Sequence, residues 1–344
     1  MKKTTLTDIA REAGVGVATV DRVLNRRAPV RPDTEQRVVQ AAVRLGYRFD
    51  RDFLSEVAAT GLSGGPLRIG ILLLSRDHSF YDSLARALER EAAPWLQPGT
   101  AIEFVFHDIH DIEAAAADIE QMSQRVNVLG LIALDNARIR HAVEKAAQRG
   151  VKVLTILSDL SPCGHAGYVG LDNRKAGRTA AWAVQRLSDK PGKVGVIIGD
   201  NRFLCQETCE ISFRSYLREH ATGHTVLEPV NSFENYDRAY QITQALIRDH
   251  EDLSVIYAPC GGVEGVVAAL RESSRSQQIT LICHGPLKDA QLALIDGTLD
   301  MIISNRLEEL SVAVVQAMRE AVEENRRGFI SSHSSFELIT KENF

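Results

Sequence analysis

The segment from residue 13 to residue 25, AGVGVATVDRVLN, carries side chains suited to contact DNA. Arg22 has a guanidinium group that can donate two hydrogen bonds to one guanine in the major groove. Val17 and Ala18 offer apolar contact, for example to thymine methyl groups. Asp21 is a carboxylate, which would weaken binding near the DNA backbone but could accept a hydrogen bond from cytosine N4. These residue types indicate a short helix that reads base edges.

Three short helices would position this segment. The pattern Thr5-x-x-Asp8 resembles a capping box, with Asp in place of Glu, and predicts the start of a first helix. Gly14 can adopt the left-handed backbone that ends a helix. A second helix is predicted from about Val17 to Leu24, and a third begins at Pro32. This is the helix-turn-helix arrangement, in which the second helix enters the major groove. The alternative is a small three-helix packing module.

The charge of the chain is unevenly distributed along its 344 residues. Residues 1–50 contain ten Lys or Arg and six Asp or Glu, whereas the chain as a whole has a net charge of −5. A basic head on an acidic body indicates a polyanion partner for the head alone. The chain is also too long for one hydrophobic core, so two or three domains are expected.

Beyond Leu67, apolar runs of strand length, such as RIGILLL and KVGVIIG, alternate with stretches at helical spacing. Continuous apolar strands between helices indicate parallel sheets that are buried on both faces. About ten such runs fit two doubly wound domains better than one. Two domains of this kind form a cleft that can close on a small molecule, and ligands bind at the carboxyl ends of the strands.

Polar and aromatic side chains follow these runs, at the expected ligand-binding edge. A sugar requires planar groups that hydrogen-bond neighbouring hydroxyls, together with an aromatic face for stacking. The residues of these kinds that we expect near the ligand are Asp77, Phe80, Asp135, Asp159, Asp172, Gln206, Glu207 and Asn305. Asp135, Asp159 and Asp172 could equally be helix N-caps, because loops that lead into helices commonly end in Asp or Ser.

Several other classes of protein are not supported by the sequence. It contains no GxSxG, P-loop or HExxH pattern, so we expect neither catalysis nor a cofactor. Its five cysteines are expected to be reduced thiols, and their spacing does not predict a metal site. The longest apolar runs are too short to span a bilayer, and the first residues lack the pattern of a secretory signal. We therefore expect a cytoplasmic protein without membrane association.

The motifs TLTDIA, AG, TVDRVLN and LGY occur in this order in residues 5–47. Their order and spacing resemble the N-terminal signature of the lactose-repressor (LacI-type) family of bacterial transcription regulators. The remaining chain is similar to the effector domain of that family, which has the periplasmic-binding-protein type I fold. The resemblance implies a homodimer, or a tetramer, that binds double-stranded operator DNA and a carbohydrate-like effector. The expected fold is therefore α/β, with a helix-turn-helix head and two Rossmann-like subdomains.

The resemblance also implies roles for individual positions in the head. The residues that match phosphate contacts of the family are Thr5, Thr19, Asn25, Thr34 and Tyr47. The residues that match base contacts are Val17, Ala18 and Arg22. Asp21 and Gly16 depart from the family pattern, since both stand where serine is usual. We expect Asp21 to hold Arg22 or Arg26 in the conformation that reads DNA.

The linker after LGY departs from the family as well. In the family this segment forms a hinge helix on DNA, and its leucine inserts into the minor groove and kinks the site. Here Glu56 occupies the matching position, and a carboxylate cannot act as an apolar wedge. The sequence therefore predicts either little bending of the DNA or a wedge at Leu54, two residues earlier.

In the body, Phe80 matches a position where the family often has an aromatic residue that stacks on the ligand ring. Asn305 matches a position that is often glutamine. Cys209 and His284 stand where the family commonly has arginine and aspartate, and we expect both near the effector. These two replacements predict an effector that differs from a common pyranose. A polyol, a modified sugar and a sugar acid remain open, although the missing arginine disfavours a strongly anionic ligand.

We predict a DNA-binding domain, a linker and two effector subdomains that the chain enters more than once. Their bounds are 1–48 for the DNA-binding domain, 49–66 for the linker, 67–172 with 305–328 for the N-subdomain, and 173–304 with 329–344 for the C-subdomain. The expected function is repression of a carbohydrate-utilisation operon, released when the effector closes the cleft. Activation of transcription, or solute binding without a regulatory role, are the alternatives.

Replacement of Arg22 by alanine is expected to abolish discrimination between operator and scrambled DNA, because Arg22 is the strong base-reading side chain of the second helix. Ligand binding by the body should be unchanged. Gel-shift titrations with both DNAs measure the effect. Retained specificity would show that the recognition helix has been assigned to the wrong segment.

Overall fold

Apolar side chains organise the chain into a small helical head and two α/β subdomains. The computed structural model describes residues 4–25, 30–45, 47, 67–75, 79–97, 99–188, 190–220, 223–287, 290–323 and 328–344. Arg26, Leu54, Glu56 and Asp77 lie outside the described residues, so the roles predicted for them stay predictions.

The head consists of three helices: α1 (Leu6–Ala13), α2 (Val17–Leu24) and α3 (Pro32–Arg44). The predicted capping box is confirmed, because Thr5 Oγ1 accepts from the Asp8 N–H and the Asp8 carboxylate accepts from the Thr5 N–H. Gly14 follows α1 with the predicted left-handed backbone, at φ 65°. The buried core of the head comprises Ile9, Ala10, Ala13, Val20, Val23, Leu24, Val38, Val39, Ala41 and Ala42.

The N-subdomain is a parallel sheet with helices on both faces. Its strands are β1 (Ile69–Leu74), β2 (Glu103–His107), β3 (Val128–Leu131), β4 (Lys152–Ile156), β5 (Gly167–Leu171) and β12 (Ile330–Ser334). Its helices are α4 (Ser79–Ala92), α5 (Ile112–Met122), α6 (Ala137–Gln148) and α12 (Leu307–Ala321), with a short 3-10 turn at Ala93–Trp95. The strands pair in the order β12-β5-β4-β3-β1-β2, and every pair is parallel.

The C-subdomain repeats this plan. Its strands are β6 (Lys193–Ile198), β7 (Thr225–Val226), β8 (Val230–Asn231), β9 (Leu253–Ala258), β10 (Thr280–Gly285), β11 (Met301–Asn305) and β13 (Phe336–Ile339). Its helices are α7 (Asn173–Leu187), α8 (Leu204–Glu219), α9 (Tyr236–Asp249), α10 (Val263–Glu272) and α11 (Ala290–Ile295). The order is β13-β11-β10-β9-β6-β7, β8 also pairs with β6, and β13 is antiparallel to β11.

Burial of both sheet faces explains why the central strands are apolar at most positions. All six residues of β1 and of β9 are buried. In β1, Ile71 and Leu73 pack into one core cluster, whereas Leu72 packs into the cluster on the opposite face. Alternate residues therefore face opposite layers of helices, as the continuous apolar runs predict for parallel strands.

The chain crosses between the subdomains three times. Asp172 joins β5 to α7, Arg306 joins β11 to α12, and Ser335 joins β12 to β13. The predicted boundary near residue 328 is wrong by several residues, because 330–334 pairs with β5 of the N-subdomain. The sequence did not indicate this strand, since its residues are mostly serine and histidine. Pairing at a sheet edge supplies backbone hydrogen bonds without an apolar run.

In the described part of the chain, no helix is both long enough and apolar enough to cross a membrane. The described helices of the two subdomains instead bury one side against a sheet, as α10 does with Val266 and Leu270.

Candidate functional site

The exposed side of α2 carries the predicted base-reading residues. Val17 is 43% exposed, and Ala18 and Arg22 are also exposed. The opposite side of the helix is fixed by Val20 and Val23, which are buried in the head core. This division leaves the outward side of α2 available for a partner, in agreement with the helix-turn-helix prediction.

Asp21 contacts an amide on this helix. The Asn25 side chain donates a hydrogen bond from Nδ2 to Asp21 Oδ1 over 2.7 Å. Asp21 therefore positions an amide that the family resemblance assigns to a phosphate. The predicted hold on Arg22 stays a prediction.

Three of the other predicted phosphate contacts, Thr5, Thr19 and Thr34, lie near the N-terminal ends of the head helices, whereas Tyr47 follows the C-terminal end of α3. Thr5 is the N-cap of α1, and its hydroxyl donates to Asp8 Oδ2 over 2.6 Å. Gly16 is the N-cap of α2 and provides no side-chain bond, so backbone N–H groups open this helix. Thr19 and Thr34 are half-buried near the starts of α2 and α3. Tyr47 packs against the head core.

A cleft of about 980 Å³ lies between the carboxyl ends of the two sheets. Its N-subdomain wall includes Phe80, Tyr81 and Ser158, and its C-subdomain wall includes Gln206, Glu234, His284 and Asn305. This is the position that parallel topology predicts for a ligand, because loops from neighbouring strands converge there.

Five of the predicted effector residues line this cleft: Phe80, Gln206, Cys209, His284 and Asn305. The Phe80 ring lies against Tyr81 at a centroid distance of 5.2 Å. Asn305 ends β11, and its Oδ1 is buried without a hydrogen-bond partner among the described residues. An unpaired buried acceptor is costly, and a ligand donor would satisfy it.

The structure places four other predicted residues outside the lining of this cleft. Asp172 is the N-cap of α7 and accepts from the Lys175 N–H, which was the alternative role. Asp135 accepts from Arg140 and Ser161, and these side chains hold its carboxylate outside the cleft lining.

Asp159 and Glu207 are the remaining two. Asp159 accepts from Thr155 Oγ1 over 2.6 Å and lies 3.0 Å from His165 Nε2. Glu207 is exposed on the first turn of α8. A carboxylate after a strand therefore fails as a ligand signal by itself, because local hydrogen bonds use the same residue type.

His284 lies in the cleft wall and contacts a buried tyrosine. Its Nε2 is 3.0 Å from the Tyr257 hydroxyl, and the Tyr257 ring stacks on Phe213. Burial lowers the pKa of His284 to about 4, so its imidazole is neutral at pH 7. The family that this chain resembles commonly has an aspartate at this position. Here a neutral imidazole stands in place of that negative charge.

The cleft also contains residues that the sequence did not point to, among them Tyr81, His110, Glu234 and Arg238. Glu234 lies shortly after β8, which has only two residues. A strand this short has no apolar run in the sequence, so the sequence did not predict a strand end near Glu234. Burial, followed by the charge of Glu234, raises the pKa of Tyr81, which keeps its proton.

Contacts across the cleft connect the two subdomains. The Asp135 N–H donates to the Arg202 carbonyl over 2.8 Å, and the Cys205 N–H donates to Ser158 Oγ over 3.4 Å. At the cleft mouth, the ring of Phe233 lies edge-on to that of another aromatic residue, His110, at 6.1 Å. These contacts depend on the relative position of the subdomains and would change with a hinge motion.

Comparison with known families divides the chain at the linker. Residues 69–326, about three quarters of the chain, match the periplasmic binding protein domain family. Residues 5–49 match a family described as bacterial regulatory proteins, lacI family. The first match lies on the two α/β subdomains, and the second lies on the helical head.

Curated relatives include transcription regulators. The HTH-type transcriptional regulator GalS of Salmonella typhimurium is 36% identical over 126 residues, which are 36% of this chain and 34% of GalS. The ribose operon repressor of Halalkalibacterium halodurans is 25% identical over 260 residues, which are 74% of this chain and 71% of that protein. For the first three curated relatives, the match spans only 24% to 34% of their length.

Solved structures of sugar-binding proteins share the fold of the body. The glucose-galactose binding protein GanP of Geobacillus stearothermophilus has a TM-score of 0.74 at 18% identity, over 80% of this chain and 98% of that chain. A solute-binding protein of Agrobacterium vitis with bound α-D-tagatopyranose has a TM-score of 0.71 at 20% identity, over 80% and 95% of the chains. At these identities the likeness establishes the fold.

The neutral state of His284 predicts a dependence of stability on pH. The unfolded chain takes up a proton at this residue near pH 6.5, whereas the folded protein does so near pH 4. The free energy of unfolding should therefore fall as the pH is lowered from about 7 to about 4. His284→Gln should show a smaller loss over this range in thermal unfolding.

His141→Gln is the matched control, because His141 is exposed on α6. It should retain the pH dependence of the wild-type protein. Equal slopes for wild type and His284→Gln between pH 7 and pH 4 would contradict the assignment.

Proposed function

Because this chain belongs to the periplasmic binding protein domain family, with a head of the lacI family of bacterial regulatory proteins, we propose that it is a transcription repressor. In this proposal the head binds operator DNA, and a small carbohydrate-like molecule in the cleft releases it. The proposal rests on the presence, in one chain, of an exposed DNA-reading helix and a cleft between two hinged subdomains.

The exposed chemistry of the head supports DNA as the partner. Arg22 can recognise guanine, and the apolar side chains of Val17 and Ala18 suit thymine methyl groups. One helix of this size reads only a few base pairs, so we propose a homodimer on a roughly palindromic site. Two heads would then need a fixed separation to occupy adjacent major grooves.

The cleft supports a polar organic ligand of sugar size. Its walls combine the aromatic face of Phe80 with the amide of Asn305 and the carboxylate of Glu234. Such a combination of one apolar face and a few placed polar groups is typical of carbohydrate sites. The acceptor of Asn305 would gain a partner when ligand enters, which favours the occupied state.

Linkage between the two sites provides the mechanism. A ligand that contacts both walls stabilises one relative position of the subdomains, and the three crossovers at Asp172, Arg306 and Ser335 permit the rotation. The N-subdomain follows the head in the chain, so its rotation in a dimer changes the separation of the two heads. Ligand and operator then favour different states, and each weakens the binding of the other.

Phe80→Ala and Asn305→Ala are expected to weaken release by ligand and to leave operator affinity without ligand unchanged. Phe80 and Asn305 belong to different subdomains, so a shared loss would place both walls on one ligand. A thermal-shift screen of sugars, polyols and sugar acids first finds a binder, and at 100 times its Kd it should add about 2.7 kcal/mol of stability. Gel shifts then measure operator affinity with and without that compound, and calorimetry measures the affinity for the compound.

Arg149→Ala on the outer surface serves as a control, since Arg149 contacts Ser123 and lies outside the cleft. It should keep the response of the wild-type protein. Unaltered ligand affinity in both cleft variants would remove this cleft as the effector site, and wild-type protein that fails to prefer operator over scrambled DNA would contradict the proposed repressor.

A further inference from the structure

Glu234 is held in the cleft by an unusual backbone. Phe233 and Glu234 have φ values of 55° and 57°, in the left-handed region that non-glycine residues rarely adopt. Two such residues in succession are disfavoured and persist where the surrounding structure fixes them, often at functional positions. The Asn235 side chain then caps α9 by accepting from the Arg238 N–H, which fixes the end of this turn.

Two hydrogen bonds orient the carboxylate. The Gln206 amide donates from Nε2 to Glu234 Oε1 over 2.8 Å, and the Gly261 N–H donates to Oε2 over 2.6 Å. Gln206 is itself fixed, because its Oε1 accepts from the Gly199 N–H over 2.6 Å. Two donors, one on α8 and one in the loop after β9, thus converge on one carboxylate at the sheet edge.

Two glycines form a cradle for this carboxylate. A Cβ atom at Gly199 would lie 1.6 Å from Glu234 Oε1, and a Cβ atom at Gly261 would lie 2.1 Å from Oε2. Neither glycine has a left-handed backbone, so the main chain at both positions would accept an alanine. The glycines are therefore needed for the space that the carboxylate occupies.

The C-subdomain wall of the cleft contains at least two side chains that offer hydrogen-bond acceptors, Glu234 and Asn305. A carboxylate accepts and does not donate, and Asn305 Oδ1 is a buried acceptor without a partner among the described residues. Glu234 reaches Gly261 beyond β9, whereas Asn305 ends β11, with β10 between them. Two strand spacings correspond to about 10 Å, so the acceptors are spaced across the cleft rather than directed at one atom.

Charge in this wall disfavours an anion. Arg238 is the one arginine in the described lining, and it is exposed, so its charge is screened by water. A phosphate or carboxylate near Glu234 would meet a negative charge at short range, in a site partly shielded from solvent. Hydroxyl groups, in contrast, can donate to both acceptors without a charge penalty.

Building on the proposed function, we propose that Glu234 anchors the effector by accepting hydrogen bonds from two adjacent hydroxyl groups, while Asn305 Oδ1 accepts from a third. The effector is then an uncharged sugar or polyol, and sugar acids and sugar phosphates are excluded. Glu234 determines the specificity for uncharged ligands, because its fixed carboxylate accepts hydrogen bonds from hydroxyl groups and repels anions.

The test uses the full-length protein and matched compounds. Calorimetry compares ribose, xylose, glucose, galactose and myo-inositol with glucuronate, galacturonate, glucose 6-phosphate and ribose 5-phosphate. An uncharged compound should bind, and its anionic counterpart should bind at least tenfold more weakly. Glu234→Gln should weaken binding of the uncharged compound at least tenfold, whereas Glu207→Gln, on the exposed face of α8, should not change it.

A double-mutant cycle tests the cradle independently of the ligand. Gly261→Ala should lower the melting temperature, because it displaces the Glu234 carboxylate from its donors. In a Glu234→Ala background, the same Gly261→Ala change should have little further effect. An equal decrease in both backgrounds would show that Gly261 is required for another reason and would overturn the cradle.

Binding confined to anionic compounds, absence of any uncharged binder, or wild-type affinity in Glu234→Gln would overturn the inference. Each of these results leaves specific operator binding by the head intact. Loss of operator preference in the wild-type protein would instead contradict the proposed function.

Discussion

Burial of parallel strands on both faces is the constraint on which the rest of the structure depends. Strands such as β1 and β9 have no exposed residue, so each must be covered by helices that return the chain to the same end of the sheet. All loops after the parallel strands therefore gather at one edge. The cleft forms because two such edges face each other. Its polar residues lie at the strand ends, in the loops that follow, or in the first turns of the next helices.

The same constraint explains which strands and helices could be predicted from the sequence and which could not. Apolar runs and the intervening helical spacing predicted the two-sheet α/β body, and Thr5, Gly14 and Pro32 predicted the helices of the head. The edge strand β12 was missed, because residues 330–334 pair with β5 through their backbone and contain few apolar side chains. A pattern based on side-chain burial cannot find a strand that is stabilised mainly by its backbone.

Prediction of the cleft residues failed in two physically distinct ways. Asp135, Asp159 and Asp172 follow strands as expected, yet local donors such as Arg140 and the Lys175 N–H hold them outside the cleft lining. Glu234 was not predicted, because its position depends on a left-handed turn and on glycines from two other loops. Such convergence of distant segments is a property of the fold, and no local spacing encodes it.

Function in this account arises from coupling between a head that contacts DNA and a body that contacts a small molecule. Among the described residues, the head has its own core of ten buried apolar side chains, whereas the body has core clusters on both faces of its two sheets. Each part can therefore keep its structure while their relative position changes. The crossovers join the two subdomains, and in the proposed mechanism they are the segments through which ligand contacts would rotate the N-subdomain.

Reciprocity of binding tests this coupling most directly. The Kd for operator is measured with and without a saturating stabilising sugar, and the Kd for the same sugar with and without saturating operator. The account predicts that each ligand weakens the other by the same factor, about 5-fold to 150-fold, because both report one coupling free energy. Operator affinity that is unchanged by saturating sugar would contradict the central claim.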